Sequence, residues 1–134
     1  MAVISMVLIV GACGGDDTDP ASTIEAYTAA YNEGEIDGVM VFFSEESVIT
    51  GHPANDSVSG LTQIRAVQLE DLSYAAEENA YTISHVEATG DTVTWDHVWI
   101  SSDGEEYCQV GHSAVIQDGI ILTWTWPNSD FDCP

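Results

Sequence analysis

Lysine is absent and arginine occurs once, at Arg65, in a chain of 134 residues that carries 23 aspartates and glutamates and a formal net charge of -22 at pH 7. A polyanion of that strength repels another, so nucleic acid is excluded as a partner. Adaptation to salt, simple solubility and a cationic partner each account for the acidity, and the charge alone names no activity. Internal repetition is also missing: no period of about 20 to 50 residues recurs, which excludes a repeat array. Neither H-E-x-x-H nor any other close spacing of metal ligands occurs, although His52, His97, His112 and Asp96 are of the right type. No metal and no cofactor is therefore expected. Cysteine is scarce, with three in the chain. This length, with 45% hydrophobic residues, suits one core of ordinary size in one domain.

The opening stretch MAVISMVLIVGACGGDD is apolar for about a dozen residues, short of the roughly 20 that cross a bilayer as a helix and typical of a signal-peptide core. Val10, Gly11 and Ala12 before Cys13 resemble the lipobox of bacterial lipoproteins, in which cleavage leaves the cysteine as a lipid-modified N-terminus. Gly14, Gly15, Asp16 and Asp17 follow as a flexible acidic tether. The expectation is a leader and tether over residues 1–21, a folded domain over 22–134, and an extracytoplasmic protein held at the cell membrane through Cys13. Ordinary cleaved export is the alternative. No Lys or Arg precedes the apolar run, a departure from the usual export signal. With Cys13 lipidated, Cys108 and Cys133 remain as an even pair in an oxidising compartment. They are either joined as a disulfide that ties the tail DFDCP to a strand, or left as two thiols.

Ser22 followed by Glu25 reads as a capping box, and Ile24, Tyr27 and Tyr31 recur at spacings of three and four until Gly34 supplies a stop. Ile36, Val39, Met40 and Phe43 make one apolar stripe on a short second helix. SVIT is a short strand, and the turn-rich stretch TGHPANDSVSG after it is a loop. Ser59 caps a third helix whose Leu61, Ile64, Gln68 and Leu72 share a face that Val67 and Leu69 widen. Beyond Glu78 the period changes to two, with strands at AYTISHVEA, TVTWDHVWIS, EYCQVGHSAVI and IILTWTWP between the turn signals TGD, SDG and QDG. Alternation puts Val93, Trp95, His97 and Trp99 on one face, and Cys108, Val110, His112, Ala114 and Ile116 on one face of the next strand. Helices first and strands later make the class α+β, with the N-terminal helices packed on a strongly curved antiparallel sheet.

The run AYNEGEIDGVMVFFSEESVITGHP, followed by SGLTQIRA, resembles the SnoaL-like branch of the nuclear transport factor 2-like superfamily, and also the ketosteroid isomerases within it. The resemblance covers roughly residues 22–127 and rests on the Asn-Glu-Gly between two helices and the Gly-x-x-x-Ile-Arg start of the third. It implies a cone in which three helices and a bent sheet enclose a deep, mostly apolar pocket for a small hydrophobic molecule. It also implies roles. Tyr27 matches the tyrosine that hydrogen-bonds the substrate oxygen in the isomerases, and His52 stands where they carry the proton-moving aspartate of an Asp-Pro pair. His112 falls near their protonated aspartate, the second oxyanion donor. Both carboxylates are imidazoles in this chain. The epoxide-hydrolase relatives need two aspartates bridged by an arginine, a pattern that the lone Arg65 does not reproduce; Arg65 reads as an ion-pair partner for neighbouring acids.

Abstraction of a proton next to a carbonyl needs a base poised near the working pH and donors aimed at the developing oxyanion. An unperturbed imidazole titrates near about 6.5, so His52 suits the first role, with Tyr27 and His112 as the donors. Each also has a plain structural reading: His52 as a rim residue in a turn, His112 as a hydrogen-bonded core histidine, Tyr27 as core packing beside Ile24 and Tyr31. Trp95, Trp99, Trp124 and Trp126 are core, dimer surface or the wall of a pocket for a flat apolar ligand. The last hairpin decides what faces His112. A two-residue Asp118-Gly119 turn puts Thr125 opposite it, whereas a three-residue loop with a bulge puts Trp124 there. Three functions stay open: binding of a small, largely apolar molecule; an isomerase or cyclase-type enzyme with His52 as base; and a dimerisation or assembly module, a homodimer for instance, whose pocket is vestigial.

Overall fold

A computed structural model describes residues 19–53, 55–75, 81–100 and 103–127. The leader, the tether, Cys13 and Cys133 lie outside the described residues. Helix α1, Pro20–Glu33, starts after Asp19, whose carboxylate accepts the Ala21 N–H at 3.0 Å and the Ser22 hydroxyl at 3.2 Å. The cap is thus three residues earlier than Ser22, because Pro20 fits the first helical position, where its missing N–H has no partner to lose. Gly34 ends the helix as expected, in the left-handed region at φ 79° with its N–H on the Tyr31 carbonyl. Helix α2, Ile36–Met40, is a single turn and a half, and Phe43 joins its buried stripe through the turn that follows. In α3, Gly60–Ala75, the residues Ile64, Val67, Gln68 and Leu72 are buried. Leu69 departs from the expected stripe at 47% exposure. At the start of α3 it is the Glu45 carboxylate that accepts the Leu61 N–H, at 2.7 Å, while Gln63 reaches back to the Ser59 N–H.

The stretch expected as a loop is a hairpin. Strands β1, Val48–His52, and β2, Asn55–Ser59, pair antiparallel, with His52 opposite Asn55 at the turn. Gly, Asn, Asp and Ser disfavour strands in isolation, but here the neighbouring sheet supplies the hydrogen bonds. Strands β3 (Tyr81–Thr89), β4 (Thr92–Ile100), β5 (Glu106–Gln117) and β6 (Ile120–Thr125) form the meander, and the sheet order is β2-β1-β6-β5-β4-β3. One pairing corrects the all-antiparallel expectation: β1 runs parallel to β6, with Ile49 beside Trp124, so the sheet is mixed. Helix α1 packs over β3, β4 and β5, and α3 over β1 and β2. The result is an α+β fold whose core, including Ile24, Tyr27, Ile49, Ile64, Trp95 and Trp124, fills the space between helices and sheet.

Three bulges bend the strands, and two of them set which side chains point inward. In β5, pairing with β4 slips between Trp95 opposite His112 and Asp96 opposite Val110, so Gly111, at φ 99°, is the extra residue. Strict alternation therefore fails: Val110 turns outward at 44% exposure, while Gln109 and His112, three apart, are both buried. Asp96 secures the bend, accepting the Gly111 N–H at 3.0 Å and meeting His85 Nδ1 at 2.9 Å. In the last hairpin Gln117 faces Ile120 across a two-residue turn, but the register then slips, so Ser113 pairs with Thr125 and Ala114 with Trp124. Neither expected partner stands opposite His112; continuing this register brings Trp126 there.

Candidate functional site

His52 reaches the interior from the end of β1. Its ring is 6% exposed, and Nε2 lies 3.0 and 3.2 Å from the two carboxylate oxygens of Asp71 on α3. The backbone that delivers it is constrained. Gly51 holds φ 79°, and a β-carbon there would stand 2.6 Å from the Trp126 carbonyl oxygen, so only glycine lets the hairpin lie so close to the end of β6. The Trp126 N–H on the Thr50 carbonyl, at 2.8 Å, closes the same contact. The Trp126 ring then meets His52 edge to face at 4.7 Å.

Tyr27 enters from α1. Its hydroxyl donates to Gln68 Oε1 at 2.8 Å, both groups being buried, so in this arrangement its proton is directed at α3. Its ring packs edge-on against Trp124 at 5.3 Å and against Phe43 at 6.0 Å.

His112, on β5, is fully buried, and its neighbours fix its tautomer. An indole N–H only donates, and Trp124 Nε1 gives its proton to His112 Nδ1 at 3.0 Å. The imidazole proton therefore sits on Nε2 and goes to Gln109 Oε1 at 2.8 Å. The β5 bulge makes this possible by turning both side chains to one face. His97, on β4, stacks on His112 with centroids 3.8 Å apart and planes at 18°. Burial lowers His97 to about 3. Burial first, and then the neighbouring His97, lowers His112 to about 2. Both rings are neutral at ordinary pH, because burial would strip an imidazolium of its water. Tyr31, near Asp71, keeps its proton far above the usual phenol range, through burial and then the Asp71 charge.

The three residues singled out by resemblance are brought together, though through intermediaries. Tyr27 touches Trp124; Trp124 bonds His112; His112 lies 5.0 Å from Trp126; and Trp126 packs on His52. Trp95 joins them, stacked on His112 at 5.5 Å. Trp99 does not, and stacks instead on Tyr107 at 6.0 Å. Cys108 is buried and disulfide-bonded. Among the described residues, no three His, Cys, Asp or Glu side chains converge as a metal site, and no helix is long and apolar enough to cross a membrane. Arg65 bonds Asp37 at 3.1 Å on the surface, in a shallow groove with Met40, Val41 and Leu61.

Asp71 and Gln109 are the residues that sequence reasoning missed. A weak signal for Asp71 existed: it lies three residues after Gln68, one turn along the same face of α3. Gln109 had none, since alternation sends it outward.

Comparison with solved structures places the fold among known ones. A nuclear transport factor 2-like protein of unknown function from Burkholderia xenovorans LB400 is similar with a TM-score of 0.65 at 13% identity, over 90% of this chain and 91% of that one. A protein with a ketosteroid isomerase-like fold from Catenulispora acidiphila DSM 44928, in complex with trimethylamine, gives 0.63 at 17% identity, over 81% and 88%. A putative polyketide cyclase from Sinorhizobium meliloti gives 0.61 at 15% identity, over 79% and 94%. At such identities the likeness is one of fold. No curated protein sequence matches. The sequence profile of the SnoaL-like domain matches residues 24–126, nearly the whole of the described region. With its helices and mixed sheet in agreement, the chain belongs to the SnoaL-like domain family.

Proposed function

We propose that the domain binds a small, largely apolar molecule at the aromatic cluster between α1, α3 and the sheet. The observation that supports it is the convergence of Trp95, Trp124, Trp126 and Tyr27 with two neutral imidazoles and the His52–Asp71 pair. Rings provide contact area and imidazoles without charge keep the surroundings apolar, while one polar pair at the edge orients what enters. Titration of the protein with a panel of flat hydrophobic molecules, followed by tryptophan fluorescence, tests this. Saturable binding that Trp124→Ala weakens at least tenfold is the expected result. Absence of saturable binding across the panel counts against it.

A second reading is favoured by one contact. A carboxylate 3.0 Å from His52 Nε2 accepts the proton on that nitrogen and fixes the orientation of the ring, which is what a proton-transferring base requires. Isomerisation or cyclisation of an enolisable ketone is the matching chemistry, with His52 as base. Under this reading His52→Ala abolishes turnover and leaves affinity within a few fold. Proportionate loss of affinity identifies a binding module. A change in neither binding nor stability favours an assembly role with a vestigial pocket, which sedimentation of the purified protein would examine as a homodimer.

The start of the chain supports export with lipid attachment at Cys13, and the even pair that remains supports a Cys108–Cys133 bridge. Mass spectrometry of the protein from membranes reads both: a diacylglyceryl adduct on an N-terminal Cys13, and a non-reduced peptide joining Cys108 to Cys133.

A further inference from the structure

Trp95 Nε1 and Trp126 Nε1 are both buried, and neither has a hydrogen-bond partner among the described residues. A buried N–H without an acceptor is costly, and such groups are rare enough that each calls for a cause. Two of them flank the same stacked pair: Trp95 lies 5.5 Å from His112 and Trp126 5.0 Å from it. Three nearby acceptors are already taken. His112 Nδ1 holds Trp124, Gln109 Oε1 holds His112, and Gln68 Oε1 holds Tyr27. Among the described residues none accepts from either indole, which leaves both N–H groups available to a bound molecule.

We infer that Trp95 and Trp126 are the hydrogen-bond donors for an uncharged, flat ligand bearing a carbonyl oxygen, and that Trp126 swings aside to admit it. This deepens the proposed binding function and rests on it. The charge of the ligand follows from its surroundings. Arg65 lies outside on Asp37, His97 and His112 are neutral, and His52 already faces the Asp71 carboxylate. No fixed positive charge among these groups answers an anion, and the protein as a whole carries -22. Two N–H donors suit the two lone pairs of a carbonyl and offer nothing to a cation. The movement follows from burial: neither N–H can be reached in the closed packing, and of the three tryptophans around the histidine pair only Trp126 is half-exposed. It is also the residue whose ring covers His52, so the same displacement opens the route to the His52–Asp71 pair.

The test uses 9-fluorenone and fluorene, which share one ring skeleton and differ by the carbonyl, with the full chain labelled with nitrogen-15. The four indole N–H signals are assigned by single Trp→Phe variants. Fluorenone should bind at least tenfold more tightly than fluorene and move the Trp95 and Trp126 indole protons downfield, while fluorene leaves them near their free positions. In Trp95→Phe and in Trp126→Phe the preference for fluorenone should shrink several-fold, with fluorene affinity kept within about threefold. The comparison in the unaltered protein stands even where a variant fails to fold. Equal affinities, or shifts confined to Trp99 and Trp124, overturn the donor assignment and leave the binding function intact. If neither compound binds up to its solubility limit, the inference and the binding reading fall together.

Discussion

The rings of His97 and His112 lie face to face, 3.8 Å apart, and both are uncharged. A protonated pair at that distance would combine desolvation with direct repulsion, so protonation of the pair works against the fold.

Acid should therefore unfold the protein partly through these two residues. Their folded values, about 3 and about 2, lie below the ordinary imidazole value of 6.5. Below about 6.5 the unfolded chain takes up protons that the folded chain refuses, so their contribution is fully present above that pH and declines as the pH falls toward about 3. The slope is on the order of 1 kcal/mol per pH unit for each ring. Protonation of the many carboxylates relieves repulsion over the same range, so the useful quantity is a difference. Urea denaturation of the unaltered protein and of His97→Phe at pH 7 and pH 5 should show the unaltered protein losing ground to the variant as the pH drops. A pH-independent difference would refute the assignment.

Gly51→Ala should destabilise by about 2 kcal/mol or more, because it combines a left-handed backbone with a β-carbon pressed against the Trp126 carbonyl oxygen. Gly90, at φ 59° with nothing within 4 Å of its would-be β-carbon, is the control. Gly90→Ala carries only the backbone term, about 1 kcal/mol. Chemical denaturation of both variants checks the ranking.

Tyr27→Phe should cost about 1–3 kcal/mol, since it leaves the buried Gln68 amide oxygen without its donor. Gln68→Met should cost a similar amount. The double variant should cost less than the sum, because it removes both ends of one bond. Additive effects in the denaturation midpoints would mean that the bond contributes little.

Salt should stabilise the fold. With a net charge of -22, repulsion among surface carboxylates opposes compactness. Raising sodium chloride from about 0.1 M to about 1 M shortens the screening length from about 10 Å to about 3 Å. The melting temperature should climb over that range. By contrast Arg65→Ala, which removes an exposed ion pair with Asp37, should change stability by no more than about 1 kcal/mol.

Amino-acid order alone determined the helix faces, the four meander strands and the inward set of β4, because each depends on periodicity within one element. The family signature likewise sits in contiguous residues around Gly34 and Gly60. Which of these elements become neighbours is a matter of tertiary structure. His52 meets Asp71 from a different element, β1 finds β6 across most of the chain, and a strand that its composition disfavours forms because a sheet edge accepts it. The bulge at Gly111 turned Gln109 inward and so fixed the proton of His112, an outcome that no alternation rule within β5 contains. Periodicity is a local property of the backbone. Register and burial are set by which surfaces the chain brings into contact, and the chemistry of the two histidines follows from those.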